Sequence, residues 1–254
     1  MKSAGKARNN GLYRHIRTSK EIIRNLLNDF MKNYGLSNDK RKTVLLIIFV
    51  VSLIAGTYLY PLVNKFLAYV CETVPSLKAF LKDWEYLGLF STQITVFVIF
   101  NFLTWIFNNY LWKMWLFQKL LKVPDLNGKW EGGYESIREV DGKPIQTTGT
   151  MVLSITQTWN KMACQSSFSK SESYSDVIYL DIDGPQGVVL KFTYTNKSHD
   201  VTCNLAEFSG YNELRLSDKN TLTGTYYTKR IPSTRGNLLL IRRSSNDVIN
   251  ETTG

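Results

Sequence analysis

The chain has 254 residues, enough for one membrane-inserted region and one compact domain of ordinary size. Its formal net charge is +10, but the first 42 residues hold eleven Lys or Arg and only three Asp or Glu. That segment contributes +8 by itself, so the remainder is nearly balanced. The basic composition is therefore a property of an N-terminal arm, and it does not indicate a protein that binds a DNA or RNA polymer.

Two long runs without a charged residue follow the arm. Residues 43–64 (TVLLIIFVVSLIAGTYLYPLVN) form a run of 22, and residues 87–112 (LGLFSTQITVFVIFNFLTWIFNNYLW) form a run of 26. A bilayer core of about 30 Å needs roughly 20 helical residues, so each run is long enough to span it. A pair of buried helices in a soluble core is the alternative, but soluble helices of this length usually carry a polar stripe. A signal peptide does not fit the first run, which starts after 42 residues and lacks a small-residue cleavage site.

The charges beside these runs predict their orientation. The arm is strongly basic and three lysines follow the second run, whereas the connecting loop from Lys65 to Glu85 has three cations and three anions. The positive-inside bias therefore predicts a multi-pass protein with both termini in the cytoplasm, and its arm can contact anionic lipid heads. The predicted parts are a basic cytoplasmic arm (1–42), a membrane region of two helices (43–122) and a cytoplasmic domain (123–254).

The arm contains one predicted element of its own. Apolar residues recur at helical spacing from Ile22 to Tyr34, Thr18 and Glu21 resemble a capping box, and Gly35 is suited to end the helix. A basic amphipathic helix can lie on the membrane surface or pack against a neighbouring subunit. It can also fold back on the C-terminal domain of its own chain.

Short alternating stretches replace the helical runs after Val123-Pro124. The pattern predicts about eight strands with hairpin-length connections, including turns at Asn160-Lys161 and at 184–187. This spacing favours an up-and-down antiparallel barrel, whose interior either is filled by side chains or holds one small ligand. The expected fold is therefore two N-terminal transmembrane helices followed by an eight-stranded up-and-down antiparallel β-barrel.

An ordered set of motifs behind two spans resembles a known family. The set is DLNGKWEG at 125–132, ITQTW at 155–159, the serine-rich stretch 166–175, FTY at 192–194, and LTGTYYTKR at 222–230 followed by Gly236. In this order it resembles the two-transmembrane β-barrel effectors of CBASS antiphage defence, which are associated with CD-NTase enzymes. The 42-residue basic arm departs from that pattern.

The resemblance implies a function. It implies that the barrel binds a cyclic di- or oligonucleotide made by a partner CD-NTase. It further implies that binding assembles the membrane segments into a homo-oligomer, which damages the bacterial inner membrane and kills the infected cell.

A cyclic dinucleotide presents two phosphates and two flat bases, so its site needs cations, hydroxyl or amide donors and aromatic faces. The barrel sequence contains all of these types. The predicted ligand-binding residues are Trp130, Gln157, Trp159, Ser169, Ser171, Tyr194, Tyr226, Thr228 and Arg230.

Each candidate also has a structural interpretation. A tryptophan on an apolar strand face, such as Trp130, is more often a barrel plug than a base platform. The serine-rich stretch is more often a solvated strand or loop than a phosphate cradle. Gln157 and Trp159, at a strand end, suit either role, and Arg230 either contacts ligand or closes the end of the barrel.

Catalysis is not expected. His15 and His199 form no metal-binding or nucleophile-activating motif, Asp181 and Asp183 adjoin a turn, and no GxxxxGK[ST] loop is present. We therefore expect no enzyme, cofactor or metal, and a cyclic oligonucleotide as the activating ligand. The alternative is a membrane-tethered, lipocalin-like barrel for a lipid or other apolar molecule, which would need an apolar cavity.

Two features concern assembly in the membrane. Residues 113–123 continue the second run at helical spacing up to Pro124, which predicts a stiff helical link to the barrel. The second run also contains polar residues at Gln93, Thr95, Asn101 and Thr104. Such residues favour helix–helix contact, either between subunits or with the first span.

Overall fold

A computed structural model of the protein describes residues 31–73, 88–198 and 207–243. The chain divides into two compact units. One consists of Asp39–Pro124, and the other joins the residues up to Asn38 with those from Asp125 onward. The first unit contains the apolar helices and the second contains the barrel.

Two long helices confirm the predicted apolar segments. Helix α1 is Arg41–Thr73 and helix α2 is Gly88–Asn109. Arg41–Val63 and Gln93–Lys113 are long and apolar enough to cross a membrane. Most of their large side chains face outward, as in Leu46 at 62 % exposure and Phe97 at 67 %. This exposure differs from that of a core helix in a soluble protein, whose apolar face is covered.

The two helices pack against each other through small and aromatic side chains. A Cβ added at Gly56 would lie 2.6 Å from Val96 Cγ2, so the glycine permits a close approach of the helices. Phe49 and Phe100 meet edge to face with ring centroids 6.0 Å apart. Ser52 is fully buried and donates its hydroxyl to the Ile48 carbonyl at 2.7 Å. The polar group is thus satisfied within its own helix.

The link from α2 to the barrel is not one continuous helix, contrary to the prediction. Helix α2 ends at Asn109, a 3-10 turn covers Leu111–Lys113, and a short helix α3 covers Trp115–Leu121. Met114 between them has an extended backbone, with ψ of 142°. Lys122 adopts a left-handed conformation that ends α3 before Pro124.

Eight strands form the barrel, as predicted. They are β3 (Gly128–Val140), β4 (Lys143–Gln157), β5 (Lys161–Ser167), β6 (Ser171–Asp181), β7 (Val189–Ser198), β8 (Phe208–Asp218), β9 (Thr221–Thr228) and β10 (Thr234–Arg242). Each pairs antiparallel with the next strand in sequence, and β10 pairs with β3. The pairing of β5 with β6 is short, covering only Gln165–Ser167 on β5.

Outside this short pairing the facing edges of β5 and β6 do not pair with each other, and two short strands pair with them there. Strand β1 (Lys32–Asn33) pairs antiparallel with Lys161-Met162, and β2 (Gly35–Leu36) pairs parallel with Tyr179-Leu180. We call Met31–Ser37 the seam segment.

The end of the predicted arm helix is therefore wrong, because residues 32–36 are extended. Met31, Tyr34 and Leu36 of the seam segment are at most 7 % exposed. Open strand edges offer backbone hydrogen bonds, and these together with apolar burial outweigh the local helical periodicity. The earlier part of that helix, with Thr18 and Glu21, lies outside the described residues, as do His15, His199 and Cys203.

Candidate ligand site

The up-and-down topology gives the barrel two distinct ends. At the entry end the chain enters at Gly128 and leaves at Arg242, and the turns at 158–160 and 182–188 lie there. At the far end lie the connections 141–142, 168–170 and 229–233. Inward-facing residues follow a period of two along the strands, apart from a bulge on β6 between Ser175 and Val177, so each strand contributes to the interior at both ends.

The interior near the entry end is apolar and filled. We call this part the apolar half, and its fully buried side chains include Trp130, Leu153, Met162, Leu180, Leu190, Phe192, Leu214, Leu222 and Leu240. Their number and size indicate a packed core rather than an open cavity.

Trp130, Gln157 and Trp159 all lie at the entry end, each at most 3 % exposed. Trp130 Nε1 donates to the Leu126 carbonyl at 3.0 Å, and Leu126 N donates to Gln157 Oε1 at 2.9 Å. The backbone N–H of Gln157 donates to Asn127 Oδ1 at 2.7 Å. These bonds hold the entering chain across the end of the barrel.

The interior near the far end is polar. We call it the polar half, and it is defined by inward-facing hydroxyl, amide and phenol side chains: Tyr134, Ser136, Ser166, Ser173, Ser175, Tyr194, Asn196, Asn212, Tyr226, Thr228 and Thr234. On β7, for example, the inward positions change from Leu190 and Phe192 to Tyr194 and Asn196 without a change of phase.

Some of these polar groups hydrogen bond to one another. Asn196 Nδ2 donates to Ser173 Oγ at 2.8 Å and to Ser171 Oγ at 3.3 Å. Ser175 Oγ accepts from Cys164 N at 2.9 Å, and Thr228 Oγ1 accepts from the backbone N–H of Thr234 at 3.2 Å. These bonds order the wall of the polar half.

Other groups in the polar half retain unused hydrogen-bonding capacity. The Thr234 hydroxyl is buried without a partner, and Ser166 and Asn212 side chains make no hydrogen bond, among the residues that the structure describes. All three residues are at most 5 % exposed. Buried polar groups are normally paired, so the unpaired Thr234 hydroxyl, in an interior lined by many polar side chains, favours a ligand site at the far end. Another buried atom without a partner among the described residues, Gln157 Nε2, lies at the entry end.

Three inward-facing tyrosines of the polar half lie directly opposite glycines on the neighbouring strand. The pairs are Tyr134 with Gly149, Tyr194 with Gly210, and Tyr226 with Gly236. In each pair a Cβ on the glycine would come within 2.7 Å of the ring or hydroxyl of the tyrosine. The glycines thus let aromatic rings lie against the barrel wall.

One cation stands beside these rings. Arg230 lies just beyond β9 at the far end, with its guanidinium carbon 4.6 Å from the centroid of the Phe208 ring. Burial raises the pKa of Tyr194, as does the neighbouring Tyr226, whereas the charge of Arg230 acts in the opposite direction. Burial likewise raises the pKa of Tyr226, while a hydrogen bond with Ser136 opposes that shift. Both phenols are therefore neutral near pH 7 and able to donate a hydrogen bond.

Residues 121–242 match the model of a protein family described as Cap15, cyclic dinucleotide receptor domain. This region contains all eight barrel strands, and the apolar helices α1 and α2 precede it. The barrel belongs to the Cap15 receptor family. No curated protein matches the chain.

Membership of the Cap15 family confirms the resemblance to CBASS membrane effectors that the motifs predicted. The family is one of ligand receptors rather than of enzymes. The described residues contain no cluster of three or more His, Cys, Asp or Glu that could hold a metal ion.

The Cap15 barrel brings five of the predicted ligand residues together at its far end: Ser171, Tyr194, Tyr226, Thr228 and Arg230. Ser169 is exposed in the 168–170 turn at the same end. Trp130, Gln157 and Trp159 lie at the opposite, entry end.

Sequence reasoning did not select several residues of the polar half in this Cap15 barrel. Tyr134, Ser136, Asn212 and Thr234 face its interior, but they were not among the predicted ligand residues. The signal that could have found them is a change from apolar to polar residues within one strand at constant phase.

Proposed function

We propose that this Cap15-family chain is a membrane effector of bacterial antiphage defence whose barrel binds a cyclic dinucleotide in its polar half. The observation that carries the proposal is the polar interior of the far end, where hydroxyl, amide and phenol side chains are gathered beside Arg230 and the buried Thr234 hydroxyl has no partner among the described residues. Neutral phenols and hydroxyls donate to phosphate oxygens, the guanidinium supplies positive charge, and tyrosine rings offer faces for bases.

We assign ligand contact to Ser169, Ser171, Tyr194, Tyr226, Thr228 and Arg230. Trp130, Gln157 and Trp159 then have structural roles at the entry end. Hydrogen bonds of the two side-chain atoms Trp130 Nε1 and Gln157 Oε1 support that assignment, because these atoms hold the entering backbone. The lipocalin-like alternative is less well supported, since the apolar half is filled by side chains.

Arg230 provides the test of the ligand site. A charge-assisted contact to phosphate contributes about 1.5–3 kcal/mol, so Arg230→Ala should weaken cyclic dinucleotide binding roughly ten- to a hundredfold. Arg235→Ala is the matched control, because Arg235 is an exposed arginine on the outer face of β10. Both variants are made in the full chain in lipid nanodiscs and titrated with a panel of cyclic dinucleotides. Equal affinities for wild type and Arg230→Ala would remove Arg230 from the site.

Ligand binding is then proposed to assemble the membrane helices and damage the inner membrane. Asn101 supports assembly between subunits, because its side chain is exposed on α2 and, among the described residues, hydrogen bonds only to the Phe97 carbonyl of its own helix. An exposed amide on an apolar helix can form an interhelical hydrogen bond worth about 0.6–2 kcal/mol. Binding has to supply only the free-energy difference between monomer and assembly.

Crosslinking tests the assembly step. The full chain in membranes is treated with a bifunctional amine reagent, with and without a saturating cyclic dinucleotide. We expect larger species only with ligand, and fewer of them in Asn101→Leu. An unchanged distribution at saturation, with lysis of cells that also make the nucleotide, would refute assembly as the mechanism.

A further inference from the structure

Gly149 stands out among the glycines that face the polar half. A Cβ at position 149 would lie 2.5 Å from Tyr134 Oη, 2.6 Å from Cζ and 2.8 Å from Cε1, and these are the three nearest atoms. At Gly210 and Gly236 a Cβ would also meet backbone oxygens, at 2.7 Å from Tyr227 O and 2.0 Å from Glu135 O. At Gly210 and Gly236 a side chain is therefore excluded by the close approach of the neighbouring strand. At Gly149 it is excluded by the Tyr134 side chain alone.

The ring of Tyr134 consequently covers the Cα of Gly149 on the inner wall. The contact is made by Oη, Cζ and Cε1 of the inward-facing Tyr134 side chain. Phe168 and Tyr226 meet the ring edge to face, with centroid separations of 5.8 and 6.5 Å. These contacts hold the plane of the ring in place.

We propose that Tyr134 is a base-stacking platform of the ligand site and that Gly149, by lacking a side chain, sets the width available to the base. This inference rests on the proposed function. An aromatic ring that its neighbours already hold in place can stack on a nucleobase with little further loss of side-chain freedom. Without Gly149 the ring would stand nearer the barrel axis, where it would take the space of a purine.

The magnitude of the displacement follows from the contact distances. An ordinary carbon contact needs 3.4 Å or more, and the added Cβ would lie at 2.5 Å. In Gly149→Ala the ring must therefore move inward by about 1 Å, since the wall behind the added Cβ is backbone. A purine ligand should lose more from this narrowing than a pyrimidine ligand, because the purine is wider.

The experiment measures the binding of cyclic di-AMP, cyclic di-GMP, cyclic GMP-AMP and cyclic di-UMP to the full chain in nanodiscs. The variants are Gly149→Ala, Tyr134→Ala, Tyr134→Phe and the double variant of the two alanine changes. Gly133→Ala is the matched control on the same hairpin, because its Cβ would meet only Gly149 O, at 3.6 Å. Melting temperatures of all variants establish that the barrel remains folded.

We expect Tyr134→Ala to weaken binding of the preferred ligand roughly tenfold or more, and Tyr134→Phe to bind like wild type. Gly149→Ala should shift the ratio of affinities toward cyclic di-UMP about tenfold, and Gly133→Ala should not. In the Tyr134→Ala background the change at Gly149 should have no further effect.

Three results would contradict the proposal in different ways. If Tyr134→Ala binds the ligand with wild-type affinity, Tyr134 is not a stacking platform, and the proposed function is unaffected. If Gly149→Ala and Gly133→Ala show the same ratio of affinities between the ligands, Gly149 does not set the width available to the base. If the wild-type chain binds none of the four ligands, the proposed function fails and this inference fails with it.

Discussion

Truncating Leu36 tests whether the seam segment is part of the folded barrel. Leu36 is 7 % exposed, its strand β2 pairs with β6, and the adjoining Ser37 N–H donates to the Leu180 carbonyl at 3.2 Å. Ser37 Oγ also accepts a hydrogen bond from Ile182 N at 2.9 Å. Leu36→Ala leaves these backbone bonds available and removes only the buried apolar side chain.

The expected cost follows from the burial of Leu36. Leucine-to-alanine changes at buried sites cost about 2–5 kcal/mol, and a two-residue strand can relax more easily than a central one. We therefore expect a loss of about 2–3 kcal/mol in the free energy of unfolding of the barrel. For a unit of this size, that corresponds to a decrease in melting temperature of roughly 6–15 °C.

Lys32→Ala is the control for this measurement. Lys32 belongs to the same segment, but its side chain is 54 % exposed and its amine lies 3.7 Å from a carboxylate oxygen of Asp176. Exposed ion pairs of this kind contribute less than about 1 kcal/mol. Both variants are compared with wild type by thermal unfolding of the full chain, followed by circular dichroism. Equal melting temperatures for Leu36→Ala and Lys32→Ala would show that the seam segment is not packed as described.

Four further predictions concern reactivity, topology, pH and the entry end. Cys164 is buried and its burial raises the pKa of the thiol, so maleimide should not modify it until the barrel unfolds. An exposed Lys219→Cys reporter, as the only cysteine, should be labelled only after permeabilisation; labelling in intact cells would reverse the proposed topology. Burial raises the pKa of Tyr194 above its ordinary value of 10.0, so the folded state holds that proton longer than the unfolded state. The contribution of this proton to the stability of the barrel is present below pH 10 and declines above it. The urea midpoint of Tyr194→Phe should therefore fall less steeply above pH 10 than that of wild type, and equal slopes for the two proteins would argue that Tyr194 is not the cause. Gln157→Ala leaves the Leu126 N–H without its acceptor and should lower the free energy of unfolding by about 1–3 kcal/mol. The ligand affinity of this variant should be unchanged, and weaker binding by the folded variant would show that Gln157 belongs to the ligand site.

The two apolar helices and the barrel strands could be predicted because their signals are local. The length and apolar character of a charge-free run of 22 residues can be read directly from the sequence, and they do not depend on how the rest of the chain folds. Alternation of apolar and polar residues, together with turn signals, likewise indicates the number of strands. An up-and-down barrel then needs only that each strand pairs with its neighbour in sequence. The link after α2 was less predictable, since the helical spacing of residues 113–123 does not reveal the extended Met114.

The residues that meet at the far end, where we propose the ligand site, could be predicted only in part. Tyr194, Tyr226, Thr228 and Arg230 share the far end because β7 and β9 run toward it and β9 ends beside it. Trp130 and Gln157 were chosen for the same chemistry but lie at the other end. Residue type alone could not separate the two groups, because the distinction depends on strand direction and register.

The sequence by itself thus determined the elements of this protein: its charge-free helices, its basic arm and its eight strands. Only the tertiary structure decided which inward residues share an end, and that the seam segment Met31–Ser37 is extended. The physical reason is that both facts depend on partners far away in the chain. The hydrogen-bonding edges of β5 and β6, more than 120 residues beyond the seam segment, determine its extended conformation, whereas local periodicity predicts a helix.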